Sequence, residues 1–175
     1  MSLKDKLLSS YIAFEDHLDD DSPIHDIRNN AIKVFEAQGF PTKKEEAYKY
    51  TSLKSLIKHD YSIFPKNDST VELKDVKKYF LHDIDTYKLV FIDGIYSSFL
   101  SNTTHDSIDV CLMSSALSKP KYSAVIETYF NKAADKDSLA SLNTAFAKEG
   151  AYIYIPKHKE VEKPIEIVNF STGSE

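Results

Sequence analysis

The sequence contains a single cysteine, Cys111, in 175 residues. One thiol excludes an intrachain disulfide and any metal knuckle built on a Cys-x-x-Cys pair. Glycine is nearly as scarce, at four residues, so a glycine-rich cradle for phosphate is hard to build. No Gly-x-Ser-x-Gly, Walker A, Gly-x-Gly-x-x-Gly or His-Glu-x-x-His pattern occurs. The usual nucleophile, phosphate and zinc-hydrolase templates are therefore missing. No apolar run approaches the roughly 18 residues that a membrane span requires, and no apolar h-region follows Met1. The stretch "MSLKDKLLSSYIAF" is amphipathic, but Asp5 and the following Glu15 make it unlike an acid-poor transit peptide. These absences point to a soluble, cytoplasmic protein.

Charge is also short of one sign in any one place. The net charge is −5, and every lysine cluster is interleaved with acids. A nucleic-acid surface needs a basic face to neutralise phosphates, so none is expected. What the chain does have is 42% hydrophobic residues, including 11 tyrosines and 10 phenylalanines. That argues for a packed core and, at this length, for about one domain.

Along the chain, Leu3, Leu7, Leu8, Tyr11, Ile12 and Phe14 recur at near-helical spacing and predict a helix over 2–18. Ser22 and Pro23 read as an N-cap and first-turn pair for a second helix over 23–38. Ile24, Ile27, Ala31, Val34 and Phe35 form its stripe, and Gly39 supplies the stop. A short helix is expected over 71–80, with Leu73, Val76 and Phe80 inward. "YKLVFIDGIYSSFL" (87–100) reads as a hairpin turning on Asp93-Gly94, and "IDVCLM" (108–113) as another strand. Helical patterns return at 121–133 and 138–149, and Gly150 terminates the second. "AYIYIP" (151–156) and "PIEIVNF" (164–170) are strand-like. Such strands need partners, either back on the hairpin or in a longer chain, and the second solution is favoured.

Candidate chemistry is thin. "EDHLDDDSPIHD" (15–26) gathers His17, His25 and several acids, the raw material of a divalent metal site in a small hydrolase. No ligand spacing there fits zinc or an EF-hand, and Asp20 and Asp21 before a helix start are explained by favourable charge at its N-terminus. Cys111 within a strand reads as a small buried hydrophobe. His59, His82, His105 and His158 are scattered along the chain. The stretch "GFPTKKEEAYKYTSLKSL" (39–56) mixes charge with Tyr48 and Tyr50. It can be read as a protein-binding surface, but the simpler reading has both tyrosines anchoring a loop while the charges stay wet. No catalytic, cofactor-binding or metal residue is assigned.

That same stretch carries a resemblance. Gly39, Pro41, Lys44, Glu46, Lys49, Tyr50, Thr51 and Leu53 closely resemble the N-terminal signature of the SufB/SufD family of iron–sulfur cluster assembly proteins. The family usually has tryptophan where this sequence has Tyr48. "LVFIDGIYSSFLS" (89–101) resembles the family's hairpin, and "LNTAFAKEGAYIYIPKHKEVEKPIEIVNFSTG" (142–173), with Lys163-Pro164, the approach to its core. The likeness covers about residues 23–173 and leans toward SufD.

The resemblance implies an α+β fold: an N-terminal domain over 1–149 with a small antiparallel hairpin, then 150–175 as the start of a right-handed parallel β-helix. It implies a non-enzymatic scaffold working with a SufB-like paralogue and a SufC-like ATPase through regions not in this sequence. The iron–sulfur cluster would be cargo of that complex, with no cofactor, nucleic acid or membrane bound here. None of the family's cluster-building positions maps onto these residues. The alternative is an interaction domain with no part in cluster assembly.

Overall fold

A computed structural model describes residues 1–18, 22–64, 71–102, 108–132 and 137–173. Its helices are α1 (Leu3–Glu15), α2 (His25–Gln38), α3 (Lys54–Lys58), α4 (Leu73–Val76), α5 (Met113–Leu117), α6 (Pro120–Tyr129) and α7 (Ser138–Ala145). Its strands are β1 (Tyr87–Ile92), β2 (Ile95–Tyr96), β3 (Asp109–Leu112), β4 (Ala151–Tyr154) and β5 (Ile165–Phe170). The chain forms two compact units. Met1–Ile63 with Leu117–Ala147 is helical, and Phe64–Ala116 with Lys148–Glu175 holds the strands.

In the helical unit, α1 starts on a reciprocal cap. The Asp5 N–H donates to Ser2 Oγ at 3.1 Å, and the Ser2 N–H donates to Asp5 Oδ2 at 3.1 Å. Tyr11 and Phe14 are buried, but Ile12, expected on the same stripe, is 67% exposed. One residue along a helix turns the side chain by roughly 100°, which carries Ile12 off the Leu7–Tyr11–Phe14 line. The second helix begins at His25, not Pro23. Residues 22–25 form a turn closed by the His25 N–H on the Ser22 carbonyl at 2.9 Å. Ile24, fully buried, takes the cap position without a side-chain cap, and the Ser22 hydroxyl instead accepts from Arg28 Nη2 at 2.9 Å.

Helix α2 packs on α7, and the small residues Ala31, Ser141, Thr144 and Ala145 are buried there. Small side chains let the two axes approach closely. Around that contact the aromatic rings meet edge to face. Phe146 lies 5.6 Å from Tyr11 at 89°, and Phe40 lies 5.2 Å from Phe35 at 84°.

Gly39 ends α2 at φ +69°, ψ −161°, a region that costs any other residue about 1–3 kcal/mol. A Cβ there would meet only the Lys4 side chain at 3.7 Å, so the penalty would be backbone strain, not collision. Gly39→Ala should therefore lower unfolding stability by about 1–3 kcal/mol in urea titration. Gly150→Ala, at a position without positive φ, should change it little.

In the second unit β1 is the central strand. It pairs antiparallel with β2 through Phe91↔Tyr96 and Ile92↔Ile95. Asp93 and Gly94 turn between them at φ +48° and +83°, as a two-residue hairpin loop requires. The expected hairpin arm is much shorter than 87–100 implied, since β2 holds only Ile95 and Tyr96. Beyond it the chain turns and touches β1 again at Lys88↔Asn102.

The terminal strands find partners within the chain. Strand β5 runs parallel to β1 from Tyr87↔Ile165 to Ile92↔Phe170, and β4 pairs antiparallel with β3. Residues expected to open a further domain thus share a unit with 87–96 and 109–112. The fold is α+β, with three strands in one sheet and two in the other, and no parallel β-helix is formed among the described residues.

Val76, Phe80, Val90, Ile92 and Leu100 form the core of this unit, with Val168 and Phe170 against it. Leu73, expected inward, is 47% exposed. The helix there lasts only four residues before tightening into a 3-10 turn over Lys77–Tyr79, which breaks the period that would have aligned Leu73 with Phe80.

Candidate functional site

Residues 39–61 form a strap across the helical unit, fixed at intervals and exposed between. Its first anchor is apolar: Pro41 is buried, and Phe40 packs on Phe35. A tight turn follows, with the Thr42 N–H donating to Glu45 Oε1 at 2.8 Å and the Glu45 N–H to the Thr42 carbonyl at 3.0 Å. One 3-10 turn over Glu46–Tyr48 follows and leaves Tyr48 half-buried. Farther on, Leu53 and Ile57 are half-buried on one side of α3. Finally Lys6 on α1 reaches Asp60 and the Tyr61 carbonyl.

The Tyr48 hydroxyl donates to Asp137 Oδ2 at 2.7 Å, across 89 positions of sequence. The other oxygen of Asp137 accepts the backbone N–H groups of Leu139 and Ala140, each at 2.9 Å. One carboxylate thus caps α7 and holds the strap. The Tyr48 hydroxyl, with burial opposing, and the two N–H groups keep the Asp137 carboxyl below its ordinary range. In turn the bond to Asp137, aided by burial, pushes the Tyr48 hydroxyl up to about 12.

Only one of the two expected tyrosine anchors exists. Tyr50 is 89% exposed. Tyr48 and Tyr50 are two residues apart around a three-residue turn, so their side chains leave in different directions. The Lys49 ammonium sits 5.6 Å from the Tyr50 ring centroid. Lys43, Lys44, Lys54 and Lys58 are exposed.

The 15–26 segment resolves differently from a metal site. Tyr11 donates to Asn29 Oδ1 at 2.9 Å and to Glu15 at 3.2 Å, and His25 Nδ1 lies 3.5 Å from Glu15. His17 is exposed, and Asp19, Asp20 and Asp21 lie outside the described residues. Among the described residues no three His, Cys, Asp or Glu side chains gather to hold a metal. Instead the polar cluster surrounds Arg28, which is 4% exposed. Its Nε and Nη1 lack hydrogen-bond partners among the described residues. Burial lowers its pKa, opposed by the nearby Tyr11 and Glu15. Burial, then Glu15, raises the Tyr11 hydroxyl.

The remaining candidates stay apart. Cys111 is half-buried in β3 opposite Tyr152. His59, His82 and His158 are exposed, and His105 lies outside the described residues. A cleft of about 250 Å³ beside α2 has an apolar floor of Ile27, Ala31, Val34 and Phe130. Asn30, Asn131, Lys132 and Ser141 line it, a set containing no paired acid and base. No helix among the described residues is long and apolar enough to cross a membrane.

Sequence reading missed Asp137 and Arg28. An aspartate directly before the helical pattern at Ser138 is an N-cap signal. Nothing local marks its bond to Tyr48, because that contact is made only when two distant segments fold together.

The family model for the SufBD protein N-terminal region matches residues 1–167, from before α1 into β5. The chain belongs to the SufBD family. Its strap therefore lies inside the family's N-terminal region, along with the whole helical unit and the strand-bearing unit as far as residue 167. The match begins ahead of the 23–173 span on which the resemblance rested and takes in α1. An iron–sulfur cluster assembly SufBD family protein of Synechocystis is 24% identical over 150 residues, covering 85% of this chain. The chain spans about a third of that relative, at 33% of its length.

Proposed function

We propose that these residues form the N-terminal region of a SufD-like scaffold component in iron–sulfur cluster assembly. It acts with a SufB-like paralogue and a SufC-like ATPase, both engaged through parts of the protein other than residues 1–175. The cluster is cargo of the assembled complex, and the region itself performs no catalysis and holds no cofactor. Its setting is the cytoplasm, and its continuation is a right-handed parallel β-helix. The match of the SufBD N-terminal region to residues 1–167 is the observation that carries this reading.

In the strand-bearing unit, the placement of β5 gives that continuation a physical basis. Glu166 accepts the Leu81 N–H at 2.9 Å and the Thr86 hydroxyl at 2.8 Å, which fixes β5 beside β1. Among the described residues β5 is one of the two edge strands of its sheet, and a parallel solenoid grows by stacking on such an edge.

The test is co-expression of the full-length protein with SufB-like and SufC-like partners. A stable complex that yields assembled clusters, with ATP hydrolysis depending on the SufC-like subunit, is expected. A full-length protein that purifies alone and leaves cluster yield unchanged when deleted would overturn the reading.

A further inference from the structure

We propose that the exposed side of the strap is a docking surface for an acidic polypeptide segment of another protein, with Tyr50 as its apolar anchor. Between Lys43 and Asp60 stand five lysines (43, 44, 49, 54 and 58) and three acids (Glu45, Glu46 and Asp60). That is a surplus of two positive charges in a chain of net charge −5, leaving −7 on all other residues.

Each of the three acids has a partner within the helical unit. Glu45 accepts the Thr42 N–H at 2.8 Å, Asp60 is held by Lys6, and Glu46 lies 3.8 Å from Lys49. Lys43, Lys44, Lys54 and Lys58 make no ion pair among the described residues. The positive surplus therefore faces water.

Tyr50 supplies the other half of the surface. A tyrosine ring that is 89% exposed gains nothing from burial within the helical unit. Yet its backbone is fixed, since the Thr51 N–H donates to the Tyr48 carbonyl at 2.9 Å and Tyr48 is tied to Asp137. A rigidly presented tyrosine loses little conformational freedom when a partner covers it, which is why such residues dominate binding energy at interfaces.

The partner's class follows from spacing. A duplex presents one negative charge per ~1.7 Å along a stiff axis, a density that five lysines spread over residues 43–58 do not match. A membrane surface favours a long amphipathic helix, whereas α3 has five residues. An acidic polypeptide places carboxylates at intervals and can alternate them with an apolar side chain for the Tyr50 ring. Electrostatic complementarity of this kind sets partner choice and association rate.

The experiment is an amide-resolved NMR titration of the 175-residue chain with a synthetic peptide of Glu and Asp carrying one Phe. Saturable shifts centred on Lys44, Tyr50, Thr51 and Lys54 are expected, weakening as salt is raised. Tyr50→Ala should lower affinity about tenfold. Lys44→Glu with Lys54→Glu should lower it further, while Lys33→Glu on α2 should not, each variant keeping its helical circular dichroism. The proposal is overturned if those amides do not shift, or if the charge reversals leave affinity unchanged. It is equally overturned if a single-stranded oligonucleotide or phosphatidylserine vesicles bind the same residues as well as the peptide. Concentration-dependent shifts of these amides without peptide would give the surface to a second copy of the chain and sink the proposal too. None of these outcomes bears on cluster assembly, so the two readings fail separately.

Discussion

Phe35→Ala should destabilise the helical unit by about 3–5 kcal/mol, the largest effect of any single truncation considered. Phe35 is fully buried, and its ring packs against Phe40 at the start of the strap. It belongs to a cluster with Tyr11, Phe14, Ala31, Ile32 and Ala145, drawn from three helices that cannot all move inward to fill the space. The cost is therefore lost transfer energy plus a retained cavity. Urea unfolding followed by the helical circular dichroism signal reads it out. Ile12→Ala is the control: a side chain 67% exposed should change stability by less than about 0.5 kcal/mol. Equal losses for the two variants would mean that Phe35 is not at the centre of this core.

Asp137→Ala should cost about 2 kcal/mol, from two separable sources. Loss of the cap strands the N–H groups of Leu139 and Ala140, at about 1 kcal/mol. Loss of the Tyr48 bond adds about 1 kcal/mol, a charge-assisted hydrogen bond discounted for its partial exposure. Asp137→Asn keeps an acceptor for the cap and should recover part of the loss. Tyr48→Phe alone should cost about 1 kcal/mol, and almost nothing when Asp137 is already alanine, giving a coupled double-mutant cycle. Additive losses would refute the link.

The pair also sets a pH dependence. The Asp137 carboxyl is depressed in the folded state, so its contribution is complete above the unfolded value of about 3.9 and lost as pH falls through the folded one. The Tyr48 hydroxyl is raised, so its contribution is complete below about 10 and lost as pH rises through about 12. Tyr48→Phe should remove this pair's part of the alkaline loss and weaken the acid one. Tyr11, raised by burial and Glu15, retains its own alkaline loss.

Local signals carried most of the elements. The Gly39 stop, the Asp93-Gly94 turn and the stripe through Ile24, Ala31 and Phe35 depend on conformations or periods that neighbouring residues set alone. Errors arose where burial outweighed local preference. Ile24 fills the core and moves the start of α2 to His25, while Ser22 serves Arg28 instead of the cap. Ile12 and Leu73, apolar and near the right spacing, face water because the stripes they were assigned to point elsewhere.

The candidate surface was half legible. Charge mixing over 43–50 was visible, and so were two tyrosines, but a linear sequence does not say which one the fold buries. By itself the sequence determined the family, through residues 39–53 and their order with the later strands, and it determined where helices stop and the hairpin turns. Only the tertiary structure decided that β5 lies parallel to β1, that Asp137 holds Tyr48, and that Tyr50 is left outward. Those outcomes depend on contacts between segments some 80 residues apart, such as the 89-position span from Tyr48 to Asp137. Local preference has no term for such contacts: their energy exists only once the chain has closed the loop between them.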